Sequence, residues 1–150
     1  MNEWIILTKH YEVGLVVLSV LVAIIGSYGS LELNRRLAKA TSLKKRALFL
    51  SSLTMGLSIW GMHFVGMGAF ALSVTVRYDW ILMFLSVIPA ILSAFIAFYL
   101  LYSSAITRNK VILAGSLMGV GIAMMHYLGM MAMDFGGAIR YETGLFALSI

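Results

Sequence analysis

The sequence predicts an all-α membrane protein with four complete transmembrane helices and the start of a fifth, built from repeated two-helix hairpins in parallel orientation. Three observations lead there: charge is scarce, it is clustered, and the chain repeats itself. Of 150 residues only 17 are charged, 11 basic and 6 acidic. That is 11% of the chain, against roughly 25% in soluble domains. The mean hydropathy is +0.97, so neither a lone soluble domain nor a disordered chain fits. The sequence has no cysteine, which excludes disulfides, iron–sulfur clusters and thiol nucleophiles.

Between charged residues lie four long runs: Val13–Leu31 (19 residues), Ala47–Val76 (30), Trp80–Thr107 (28) and Val111–Met133 (23). About 20 apolar helical residues cross a hydrocarbon core of about 30 Å, so each run is read as a span. A fifth run opens after Glu142 and reaches Ile150, long enough only to begin a helix. No basic segment or cleavage site marks the N-terminus as a signal peptide. Pro89, the single proline, falls in the third span and predicts a kink there.

Placement of the basic residues sets the orientation. Arg35, Arg36, Lys39, Lys44, Lys45, Arg46, Arg108 and Lys110 fall on one side, against Lys9, Arg77 and Arg140 on the other. The positive-inside rule puts the basic loop 34–46 in the cytoplasm and the N-terminus outside. Trp4, Tyr78, Trp80 and Tyr141 then flank the outer span ends as interfacial aromatics. Topology and attraction to anionic lipid account for the basic loop, and no nucleic-acid partner is expected.

A shift of 63 residues lays Met55–Phe70 over Met118–Met133 with eight identities in 16 positions, including Met62/Met125, His63/His126, Gly66/Gly129 and Met67/Met130. A second element, starting Tyr-acid and ending near Leu-Ser, recurs at Tyr11, Tyr78 and Tyr141. The repeating unit is a hairpin of about residues 11–77, then 78–140, with a truncated third copy from 141. Units of two spans insert the same way up, and three would make a six-helix bundle with a pseudo-three-fold axis. The chain is expected to be a partial piece of that plan.

On a helix, His63/Met67 and His126/Met130 are stacked one turn apart. The histidines are expected about eight or nine residues from their outer span ends, roughly 12–13 Å deep. Neutral thioether and imidazole donors together suit copper(I). Zinc sites favour thiolate, carboxylate or several imidazoles. Heme, whose axial ligands include Met and His, is the alternative. Gly115 and Gly119 predict close helix packing, which is also the plain reading of the methionines. His10, beside Tyr11 and Glu12, reads as an interfacial side chain, and Asp134 and Arg140 as loop charges. No Ser-His-acid set, paired buried carboxylates or phosphate-cradling loop occurs, so no enzyme is expected.

The pattern MGxxIxxMHxxGMxA, present at Met55–Ala69 and Met118–Ala132, resembles the bacterial MHYT domain. Phe64, Val65 and Leu128 depart from the name-giving Met-His-Tyr-Thr element. The resemblance implies a sensor domain of the bacterial inner membrane, placed ahead of a cytoplasmic output domain that makes or degrades cyclic-di-GMP, or of another output module. It further implies copper held by Met62, His63, Met67, Met125, His126 and Met130 near the outer face, perceiving oxygen, carbon monoxide or nitric oxide. Copper transfer across the membrane is the competing function.

Overall fold

In the computed structural model the described residues are 10–37, 44–71, 77–102 and 106–134. The expected third copy from Tyr141, with Trp4, Lys9, Lys39 and Arg140, lies outside them. The elements in chain order are β1 (His10–Tyr11), α1 (Val13–Leu37), α2 (Lys44–Gly68), β2 (Phe70–Ala71), β3 (Arg77–Tyr78), α3 (Trp80–Leu85), α4 (Val87–Leu101), α5 (Arg108–Met131) and β4 (Met133–Asp134). Four helical stretches are long and apolar enough to cross a membrane: Val13–Arg36, Lys44–Gly68, Trp80–Leu101 and Arg108–Met131. The architecture is all-α apart from the two-residue strands.

Three boundaries differ from the uncharged runs. The first helix continues past Glu32, whose carboxylate is held by Arg35 at 2.8 and 3.0 Å and by Arg36 one turn on. Pairing at i,i+3 and i,i+4 lets the helix carry that charge. The second stops at Gly68, eight residues before its run ends. The third is interrupted at Ser86, three residues before Pro89. Proline has no N–H to offer the carbonyl one turn back, so the expected kink takes the form of a break.

The strands explain the early stop. β1 pairs antiparallel with β2, and β3 with β4, so each hairpin is closed at the same end of the bundle. The closures share one hydrogen bond. The Glu12 N–H donates to the Ala69 carbonyl at 3.0 Å, and the Asp79 N–H to the Ala132 carbonyl at 2.7 Å. Ala69 and Ala132 stand 63 residues apart, as do the two histidines. Asp134 is thereby a strand residue opposite Arg77, not a loop charge, and His10 pairs with Ala71. Asp79 also caps α3, its carboxylate accepting from the N–H groups of Ile81 (2.9 Å) and Leu82 (3.2 Å). At the opposite end Thr107 caps α5 by accepting from the Lys110 N–H.

α1 packs along α2, α2 along α4, and α4 along α5, while α2 and α5 meet only over a short stretch. The buried core is Leu48, Met55, Ile59, Ala90, Ala94, Phe98 and Met125. Alanines and serines at the seams let the backbones approach. Ser30 crosses from α1 to donate to the Ser51 carbonyl at 2.6 Å. Ile25, Phe84 and Ile112 are exposed and face outward, where hydrocarbon would surround them.

Gly56 and Gly119 occupy matching positions in different surroundings. A β-carbon on Gly56 would come within 2.7 Å of the backbone of Ile91, whereas one on Gly119 would meet nothing within 4 Å. Gly56→Ala is therefore expected to lower the thermal midpoint in detergent, costing about 1–3 kcal/mol through overpacking. Gly119→Ala is expected to leave it unchanged, and circular-dichroism melts of the two variants check the contrast.

Candidate metal centre

The short meeting of α2 and α5 is made by the histidines. His63 lies five residues before the end of α2 and His126 five before the end of α5, which is about 7–8 Å of helix. They sit nearer the ladder end than the expected distance of about eight or nine residues, because the helices end at Gly68 and Met131. His63 Nδ1 faces His126 Nδ1 at 3.5 Å, with ring centroids 4.9 Å apart and planes at 77°. Each imidazole meets the aromatic residue after it edge-on: His63 with Phe64 and His126 with Tyr127, both at 5.2 Å.

Behind His63 is Gly129 of α5. A β-carbon there would lie 2.9 Å from His63 Nε2 and 3.3 Å from Phe64 Cζ. Hydrogen alone fits, so Gly129 lets the α5 backbone close onto the imidazole. Nε2 is buried and has no hydrogen-bond partner. A buried polar atom left unpaired costs about 1–3 kcal/mol and calls for an explanation.

In front of the two rings is a cavity of about 400 Å³, lined by Met62, His63, Met125 and His126 together with Gly119, Ala123 and Tyr127. Four of the six expected ligands are thus brought together. Met67 and Met130 are half-buried and are not among its lining residues. Among the described residues no three His, Asp or Glu side chains converge. The available donors are two imidazoles and two thioethers, a soft neutral set matching copper(I). The 3.5 Å between the Nδ1 atoms is less than twice a metal–nitrogen bond of about 2 Å, so one ion can span both.

Sequence reasoning missed Trp60. Its indole N–H donates to the Met83 carbonyl (3.1 Å) and Ser86 Oγ (3.2 Å), and the ring stacks on Phe84 (5.9 Å) and leans on Phe64 (4.9 Å). The Ser86 hydroxyl in turn donates to the Met83 carbonyl at 2.6 Å. Trp60 therefore clamps α2 to the break between α3 and α4. Its counterpart 63 residues on is Ala123, which lines the cavity. The signal available in the sequence was the exchange of an indole for a methyl group, one of eight mismatches between the two segments.

Fold and site together define a multi-pass membrane sensory module. Residues 56–114 and 119–150 match MHYT, the bacterial signalling protein N-terminal repeat, and the chain belongs to that family. It is 35% identical over 141 residues to Signaling protein YkoW of Bacillus subtilis, covering 93% of this chain and 18% of that protein. It is 37% identical over 145 residues to the bifunctional diguanylate cyclase/cyclic di-GMP phosphodiesterase MucR of Pseudomonas aeruginosa, covering 96% and 21%. To the cyclic di-GMP phosphodiesterase NbdA of the same organism it is 33% identical, covering 93% and 18%. The chain thus spans about a fifth of the length of these relatives. No solved structure matches it.

Gly129→Ala is expected to displace the His63 ring, seen as altered imidazole nitrogen shifts in NMR spectra of labelled protein. Gly66→Ala, whose nearest neighbour would be Ser19 at 3.8 Å, is expected to leave those shifts in place.

Proposed function

We propose that the chain is the membrane sensory part of a cyclic-di-GMP signalling protein, and that Met62, His63, Met125 and His126 hold copper(I) in the cavity between α2 and α5. The observation that carries this reading is the pairing of imidazoles from two hairpins, 3.5 Å apart, in a thioether-lined cavity. Bound copper(I) would supply a soft centre able to take up a diatomic gas such as oxygen, carbon monoxide or nitric oxide. Met67 and Met130 serve as a further thioether pair one turn toward the ladders.

The described helix ends remote from the ladders carry Arg35, Arg36, Lys44, Lys45, Arg46, Arg108 and Lys110, and the positive-inside rule assigns them to the cytoplasm of a bacterial inner membrane. The ladders and the N-terminus then face out, and the cavity lies in the outer half. Repacking at His63 reaches the third span by contact, because Phe64 touches both His63 and Trp60, and Trp60 holds the break at Ser86. The ligand shifts this equilibrium by as much as its affinity differs between the two packings.

A second reading has support in the same distance. At 3.5 Å one proton can be shared between the Nδ1 atoms, making the pair an interhelical hydrogen bond and nothing more. Metal analysis of wild type and the His63→Ala/His126→Ala double variant separates the two readings. Copper retained by wild type and lost from the variant supports the metal centre; equal, negligible copper in both leaves the shared proton. A Soret band in the absorption spectrum would replace copper by heme, and copper flux into vesicles would make the protein a carrier.

Addition of copper(I) is expected to change the tryptophan emission of the wild type. Trp60→Phe should remove most of that change, which fluorescence titration of the two proteins measures.

A further inference from the structure

Two features outside the histidine cavity lie on one line along the exposed side of α4 and α5. At the basic end is a cavity of about 290 Å³ lined by Tyr99, Leu100, Tyr102 and Lys110. Lys44 of α2 sits with Nζ 5.7 Å above the Tyr102 ring, within the range of a cation–π contact. Three helix ends therefore meet there: the start of α2, the end of α4 and the start of α5. Lys45, Arg46 and Arg108 are exposed on the same ends. The described acidic residue of this region, Glu32, is engaged by Arg35 and Arg36.

The second feature is an apolar groove of about 250 Å³ between α4 and α5, lined on one side by Ile88, Leu92 and Ile96 and on the other by Leu117, Val120 and Met124. Ile88, Leu92, Ile96 and Tyr99 follow one another at helical spacing, so one face of α4 runs from the groove to the basic cavity. Lys110 and Leu117 are seven residues apart on α5 and continue the same line. The eleven helical steps from Ile88 to Tyr99 span about 16 Å, close to the depth of one leaflet of a core of about 30 Å.

We propose that this combined surface binds one anionic phospholipid, with the phosphodiester headgroup in the cavity and an acyl chain in the groove. Lysine ammonium groups supply the attraction to the phosphate. Tyrosine hydroxyls donate to its oxygens while their rings lie at the water–hydrocarbon boundary. The groove offers only shape and apolar surface, which suits a tail and not a second charged group. A free phosphate would use the cavity and leave the groove irrelevant. The lipid bridges α2, α4 and α5 at the end opposite the histidines, and does not depend on the metal reading.

The test uses the full chain in detergent, titrated with phosphatidylglycerol, phosphatidylcholine or inorganic phosphate, with the thermal midpoint and lipid retention in native mass spectra as readouts. Phosphatidylglycerol is expected to be retained and to raise the midpoint, with little response to the other two. Lys44→Gln and Lys110→Gln are each expected to weaken retention by about fivefold. Leu117→Trp, which fills the groove and leaves the lysines intact, is expected to lose retention as well. An equal response to phosphatidylcholine would overturn the headgroup assignment. A full response to inorganic phosphate, or normal retention by Leu117→Trp, would overturn the lipid.

Discussion

Hydrocarbon offers a polypeptide no hydrogen bonds, and every polar backbone group that enters it must find a partner within the protein. The helices meet this demand along their length; the ends and the break are where the structure has to work. Each hairpin ends in a two-residue ladder in which the residue before a helix donates to the alanine closing its neighbour. At Ser86, where the third span is broken, the Met83 carbonyl is served by a serine hydroxyl and an indole N–H from α2. The site follows from these repairs. Because the ladders draw α2 and α5 to a stop at the same level, residues five positions back on each helix face one another.

The two hairpins are close copies in their backbone closures and unlike in how their second helices are covered. α2 is wrapped by α1 on one side and α4 on another, with Trp60 wedged against the break. α5 is packed by α4, and its Gly119 and Ala123 side opens onto the cavity. Among the described residues an indole in one copy stands where a methyl group stands in the other, and the methyl group of Ala123 lines the cavity. The imidazoles are held at its edge.

Much of this was legible in the chain. Charge spacing marked the four spans, Pro89 marked the weak point of the third, and the Met-His segments marked the residues that come together. Less legible were the ends of the helices. Gly68 and Ala69 are followed by seven uncharged residues, so a count of charges carries the second span to Val76, and only strand pairing with His10 and Tyr11 ends it early. Met67 and Met130 are stacked one turn from His63 and His126 in the sequence, yet only Met62 and Met125 line the cavity. Trp60 was invisible for a different reason. Its importance lies in a hydrogen bond to a carbonyl exposed by a helix break, and carbonyls leave no trace in a residue pattern.

Among the described residues the contact between Gly129 and the His63 ring has no counterpart, since Gly66 has Ser19 near it and not His126. Two glycines at matching places in a duplicated segment are therefore under different obligations. Drift at position 66 meets a small side chain that can give way; drift at 129 strikes a ring pinned between two helices. One copy supplies the imidazole and the other the space for it, so a change in either is felt in its neighbour.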